Sequence, residues 1–307
     1  MVATPESMSG ERYLLAAGDY AAEIAQAGAA VRELTYQGRP LILSFGLDEL
    51  RPQMRGAVML PWPGRIRDGR YRFDGVERVL PLTEPATGTA IHGLIAFAPF
   101  TATRADPAAV DLTYRLLPSP GYEFTLDCRV SYSLTDSGLT VTVHTVNAGR
   151  TDAPYGVANH PYLVAGAGRV DDWTLEFTAD QFLTSPEPRL LPAGPFPVAG
   201  SDVDFGTARP IGPTELNHSF VGVPHDRHGW SRLRLHASDG QGVTVGWDCA
   251  AAPWLQLYSY DIGGPAHRAG LAVEPMSCPP DAFNSGTDLV RLAPGRAHTF
   301  TMTIGAA

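Results

Sequence analysis

Residues 124–144 read FTLDCRVSYSLTDSGLTVTVH. Phe124, Leu126, Cys128, Val130, Tyr132 and Leu134 fall on one side of a period-two alternation, and Leu139, Val141 and Val143 resume it after Asp136-Ser137-Gly138. That period belongs to an extended strand with one face in a core and the other in water. Asp-Ser-Gly between two such runs reads as a turn. Antiparallel strands are therefore predicted here, with Thr140, Thr142 and His144 on the wet face.

The same pattern recurs along the chain. Trp173, Leu175 and Phe177 carry it, as do Leu233 with Leu235, then Val243, Val245 and Trp247 after the turn Ser238-Asp239-Gly240, and Phe300, Met302 and Ile304. No stretch holds a helical period over several turns. The 307 residues are 44% hydrophobic and include 27 prolines and 32 glycines. Proline at close to twice its usual ~5% share favours many short strands over long helices. Ser185 to Thr214 is rich in both, yet its Leu190, Leu191, Phe196, Val198, Val203, Phe205 and Ile211 are too apolar for a solvated tether. It reads as an ordered connection over the sheet. The expectation is one all-β domain over residues 1–307, a large β-sandwich whose loops supply the chemistry, with residues 1–10 a flexible N-terminus.

Composition removes several function classes. The formal net charge is −9 and no dense basic run exists, so no nucleic-acid partner is expected. All 23 basic residues are arginine, which excludes Schiff-base chemistry on the protein and a P-loop. Neither Gly-x-Ser-x-Gly nor a dinucleotide fingerprint is present. Cys128, Cys249 and Cys278 are too few and too far apart for a disulfide framework or a zinc site. His225-Asp226-Arg227-His228 lies among turn and charged residues with no element to orient two ligands, so no metal is expected. No apolar run of signal-peptide or membrane-span length occurs, and a cytoplasmic location is expected.

Three islands carry the candidate chemistry. Glu274 follows Gly270-Leu271-Ala272-Val273 and precedes Pro275; a carboxylate ending a buried strand is partly desolvated and usable as a base, although a strand-end glutamate in water fits the position equally. His160, in Asn159-His160-Pro161-Tyr162, has an ordinary pKa of ~6.5 suited to proton donation. His92, in Ile91-His92-Gly93, is placed to donate a hydrogen bond to a ligand. Either histidine alone also fits a core imidazole bonded to a carbonyl. Arg65 heads the cluster Arg65, Arg67, Arg70, Arg72. Asp68-Gly69 reads as a hairpin turn, which puts most of these arginines on exposed strands and leaves Arg65 to face a pocket. Trp254, Gln256, Tyr258 and Tyr260 share one face by alternation, either a sugar platform or a second core face.

Taken in order, these islands resemble the aldose 1-epimerase (galactose mutarotase) family along nearly the whole chain. The likeness rests on Gly64-Arg65-Ile66 through Asp74-Gly75, Ile91-His92-Gly93, Asn159-His160-Pro161-Tyr162, Leu190-Leu191-Pro192-Ala193-Gly194 with Asp204-Phe205, Leu255-Gln256-Leu257-Tyr258, and Glu274-Pro275 with Pro280-Asp281-Ala282-Phe283-Asn284. Pro61-Trp62-Pro63 and Glu274-Pro275-Met276 are closer to its bacterial branch of broader sugar epimerases. The resemblance implies a galactose-mutarotase-like antiparallel supersandwich, a free sugar as substrate, no cofactor, and a monomer or homodimer. It implies that Glu274 takes the anomeric proton, that His160 protonates the ring oxygen, and that His92 and Arg65 hold the sugar. Two positions depart from the family. Gly64 stands where an Asn is frequent, and Asn217-His218 where an Asp-His pair is; Asn217 can bind a hydroxyl but cannot act as a carboxylate. Alternatives are an epimerase of a phosphorylated or sulfonated sugar held by Arg65 to Arg72, and a non-catalytic sugar-binding protein, against which an acid–base pair argues.

Overall fold

The computed structural model describes residues 7–307. Of the expected flexible N-terminus, residues 1–6 lie outside the described residues. Within the remainder, Ser7 Oγ donates to the Leu47 carbonyl at 2.9 Å and Ser9 is buried.

The fold is nearly all-β. The quoted stretch forms the antiparallel strands Leu126–Thr135 and Gly138–Asn147, joined through Asp136-Ser137, with Val130 opposite Val143 and Leu134 opposite Leu139. Their apolar alternates are buried, as the period requires. This hairpin supplies the third and fourth strands of a nine-stranded antiparallel sheet, in which Ala297–Ala306 connects it to Gly242–Asp248 and Trp230–His236. A second sheet of eight strands runs Ala193–Pro197, Gln181–Thr184, Asn217–Val221, Trp254–Tyr258, Leu271–Met276, Ala158–Asn159 and Val58–Met59, with Tyr162–Leu163 also paired to Leu271–Met276. A four-stranded sheet precedes both in the chain. Buried side chains from Leu15 to Ile304 form one continuous apolar cluster. Among the described residues no helix is long and apolar enough to cross a membrane.

Three local expectations change. Asp68 and Gly69 do turn the chain, both at positive φ, but the flanking segments do not pair with each other. Arg65–Arg67 pairs with Thr89–Ile91, and Arg70–Phe73 pairs with Val76–Val79 through the tight turn Asp74-Gly75. The connection Ser185–Thr214 contains two short strands, Ala193–Pro197 and Arg209–Pro210, each at the edge of one large sheet. Glu274 does not end its strand. Leu271–Met276 continues through Pro275, because the backbone N–H groups of Val273 and Ser277 on the same edge bond Pro161 and Val157. Pro275 lies between them, where the neighbouring chain turns away at His160, so its missing N–H leaves no bond unmade.

Core and wet faces of the central hairpin should respond differently to truncation. Leu139→Ala should cost about 2–5 kcal/mol, since Leu139 is fully buried. Thr140→Ala on the opposite face should stay within about 0.5 kcal/mol. Urea unfolding midpoints measure both; equal losses would contradict the assigned faces.

Candidate active site

The carboxylate strand sets the site by register. Glu274 lies opposite Gln256 on Trp254–Tyr258, and Gln256 lies opposite Ser219 on Asn217–Val221. Residues in register on adjacent strands point the same way, so the three form a row across the sheet. Ser219 Oγ donates to Gln256 Oε1 at 2.5 Å, and Gln256 Nε2 donates to Asn217 Oδ1 at 3.0 Å. These bonds fix the orientation of both amides and leave the Asn217 amide protons for a ligand.

His160 enters from the other side of the carboxylate strand. Its backbone N–H bonds Ala57 and its carbonyl accepts from Gly56, and its ring stacks on Tyr162 at 5.0 Å between centroids. Nε2 then lies 3.4 Å from Glu274 Oε1, with His160 only 5% and Glu274 only 3% exposed. His92 packs edge-on to His160 with ring centroids 5.2 Å apart. The turn that carries His92 depends on Gly93, at φ +75, where a Cβ would stand 2.1 Å from the Leu60 carbonyl oxygen. The Gly64 N–H donates to His92 Nδ1 at 3.2 Å, so in the neutral ring Nε2 carries the proton and is the donor. Gly64 itself sits at φ +64, and a Cβ there would stand 2.8 Å from the Pro280 side chain, so an Asn at this position would require Pro280 to move.

Arg65 is held by a bidentate pair to Glu84, Nε and Nη2 at 2.6 and 2.9 Å, and among the described residues its Nη1 has no protein partner. Glu84's burial raises its pKa, but hydrogen bonds from Arg65, Thr87 and Thr89 outweigh this and leave it lowered. The segment Pro280 to Asn284 braces this region from behind. Asp281 accepts from the Arg67 backbone N–H, and Phe283 packs against Trp62 and Tyr71.

Arg65, His92, His160, Asn217, Gln256 and Glu274 line one cavity of about 650 Å³, within the usual range of small-molecule sites. Trp254 does not line it. Its indole donates to Asp288 at 2.8 Å and it packs with Met59, Ala158 and Met276, because the face it shares with Gln256 is covered at that end of the strand. Tyr258 lines the cavity, whereas Tyr260 lies past the strand end and accepts from Arg55. Arg67, Arg70 and Arg72 are exposed and outside the cavity wall. His225 and His228 sit on an exposed loop. The sequence reading missed Arg51, Gln53, Glu84, Phe97 and His218 in the wall. Only His218 had a signal, its place beside Asn217; the others are set by long-range packing.

The electrostatics follow from burial. Burial raises the Glu274 pKa to about 8, with Arg65 pulling partly the other way. Burial lowers the His160 pKa to about 3, and the charges of Arg51 and Arg65 add to this. Its Nδ1 is buried without a protein partner among the described residues, which further disfavours an imidazolium carrying N–H on both nitrogens. Burial, then the neighbouring His160 and Arg65, hold His92 well below its usual value. At neutral pH these shifts favour a protonated Glu274 beside an uncharged His160, whose Nε2 lies 3.4 Å away.

The chain matches the family model described as aldose 1-epimerase over residues 11–305. It is 39% identical over 297 residues to the uncharacterized protein YihR of Escherichia coli K12, a match covering 96% of this chain and 93% of that one. Its fold is similar to that of a GalM/aldose epimerase homologue from C. elegans, with a TM-score of 0.86 at 18% identity over 97% and 98% of the two chains. It is also similar to galactose 1-epimerase from Lactobacillus acidophilus NCFM, with a TM-score of 0.79 at 21% identity over 94% and 91%.

The raised Glu274 pKa has a consequence for stability. Between the ordinary carboxylate value near 4.5 and about 8 the folded state binds a proton that the unfolded state has released. Stability from this group is therefore greatest at low pH and is lost as pH rises through about 8. Glu274→Gln should remove that slope, so its gain in thermal midpoint over the unchanged protein should grow from pH 5 to pH 8. Parallel curves for the two proteins would contradict a buried, protonated Glu274.

Proposed function

The chain belongs to the aldose 1-epimerase family and is an isomerase; from that premise we propose that it interconverts the α and β anomers of a free aldose by acid–base ring opening and closure. The observation that carries this reading is the buried His160–Glu274 contact at 3.4 Å in the floor of a polar cavity. Mutarotation needs one proton removed from the anomeric hydroxyl and one delivered to the ring oxygen, with no net change. A pair holding a single movable proton meets that balance.

In the proposed cycle the sugar displaces water and its anomeric hydroxyl donates to Glu274. That hydrogen bond replaces part of the solvation the carboxylate lacks, so the proton moves from Glu274 to His160. Charge-assisted hydrogen bonds, roughly twice as strong as neutral ones, support this charged arrangement. Glu274 then takes the anomeric proton as His160 protonates the ring oxygen, and the C1–O5 bond breaks. The C1–C2 bond rotates in the open chain. Closure on the other carbonyl face returns each proton along its path and leaves the pair as it began. His92 Nε2–H, the free Nη1 of Arg65 and the amide of Asn217 hold hydroxyls, and Gln256 keeps Asn217 in place. The cytoplasm is the expected compartment, which the unpaired Cys128, Cys249 and Cys278 support.

Polarimetry on freshly dissolved anomers of several aldoses tests the reading. Glu274→Gln should lower kcat by ~10²–10⁴-fold, the range of a positioned general acid or base, with little change in KM. His160→Asn should fall by a similar factor. His92→Asn should act mainly on KM, because it positions a hydroxyl without transferring a proton. Near-native turnover in Glu274→Gln would remove the proposed base.

A further inference from the structure

One wall of the cavity is the turn Arg51-Pro52-Gln53-Met54. Gln53 and Met54 are both left-handed, at φ +48 and +54, a conformation held only where the surroundings impose it. Arg51 anchors the start of this turn to neighbouring loops. It is 7% exposed, lines the cavity, and donates from Nη1 to the Ala27 carbonyl at 2.9 Å and from Nη2 to the Ala96 carbonyl. Among the described residues its Nε has no partner. Its guanidinium lies 4.8 Å from the ring centroid of Phe97, an exposed aromatic on the same wall.

The other charged groups of the wall are each relieved. Arg65 pairs with Glu84 and Asp261 with Arg268. Glu187 and Glu215 are exposed to water, and Glu274 is neutral while it holds its proton. Arg51 has none of these outlets. Its described partners are backbone carbonyls, and no carboxylate acts on it. Burial lowers its pKa only to about 10, so it remains charged at neutral pH. A buried cation without a counter-charge is costly, and an anion that enters the cavity removes the cost.

We propose that Arg51 forms an anion subsite of the catalytic cavity, and that the preferred aldose carries an anionic group, a sulfonate, phosphate or carboxylate, on its exocyclic carbon. This rests on the epimerase reading above for its orientation. The turn Arg51–Met54 leads into Gly56 and Ala57, which bond the backbone of His160, and the Gln53 carbonyl accepts from the hydroxyl of Tyr162, on which the His160 ring stacks. Arg51 therefore lies on the side of the group assigned to the ring oxygen. In a pyranose the exocyclic carbon is bonded to the ring carbon beside that oxygen, so its substituent points the same way. The anion-binding role suggested by the sequence for Arg65 to Arg72 shifts accordingly, since Arg67, Arg70 and Arg72 lie outside the cavity.

The test compares interconversion of a neutral hexose with hexoses bearing each of the three anions on the exocyclic carbon. At least one anionic sugar should have a kcat/KM about ten- to a hundredfold higher, the gain expected of hydrogen bonds to a charged partner. The ranking of the three identifies the group. Arg51→Gln should lower the anionic-to-neutral ratio at least tenfold, as no charge remains, and Arg51→Lys should lower it less. Methyl glycosides of the same sugars cannot open, so calorimetry on the unmodified enzyme reads the subsite apart from catalysis and apart from any loosening of the loops that Arg51 ties. The anionic glycosides should bind more tightly than the neutral one. Equal affinities, or a ratio unchanged in Arg51→Gln, would overturn the proposal. Tighter anionic binding without any interconversion would uphold the subsite and overturn the epimerase reading instead.

Discussion

The contact between His160 and Glu274 depends on burial, and the surrounding structure leaves only 5% and 3% of the two residues exposed. A carboxyl and an imidazole at 3.4 Å in solvent would each titrate near its ordinary value. With Glu274 on an interior strand of the second sheet and His160 on the chain beside it, burial raises the pKa of one and lowers that of the other. Placing Glu274 inside a continuous strand rather than at its end is what makes the burial complete. Neighbouring strands cover it on both edges and its backbone is fixed along its length.

The histidine and carboxylate proposed for catalysis come from segments more than a hundred residues apart, yet each is fixed locally by a simple constraint. His160 is held where two flanking chains take up its backbone N–H and carbonyl. Glu274 is held by a row of cross-strand neighbours ending at Ser219. His92 occupies an uncommon left-handed position, and the close approach of Gly93 to Leu60 and the bond from Gly64 keep it there. Such strain is sustained only when the rest of the molecule over-determines it. The two large sheets and the apolar cluster on which they pack provide that rigidity.

Much of this was legible in the sequence where the physics is local. Alternation located the hairpin because burial on a strand has a period of two, whereas the apolar run before Glu274 fitted a desolvated carboxylate and a solvated strand end equally. Pro275 misled: proline ordinarily closes a strand, and only the turn of the facing chain at His160 makes it harmless inside one. Trp254 misled for a related reason, since alternation gives the face of a sheet but not what covers each end of it. Arg51 carried no local signal at all. An arginine between Leu50 and Pro52 reads as surface, and its burial arises from loops around Ala27 and Ala96 that no window of sequence can show.

The central claim is that the empty site stores one proton on Glu274 and gives it up when sugar binds. Infrared difference spectroscopy reads this directly, with Glu274→Gln used to assign the carboxyl band. At neutral pH the sugar-free enzyme should show a protonated carboxyl stretch that the variant lacks, and saturating sugar should convert it to a carboxylate band. An ionised Glu274 in the sugar-free enzyme would contradict the account.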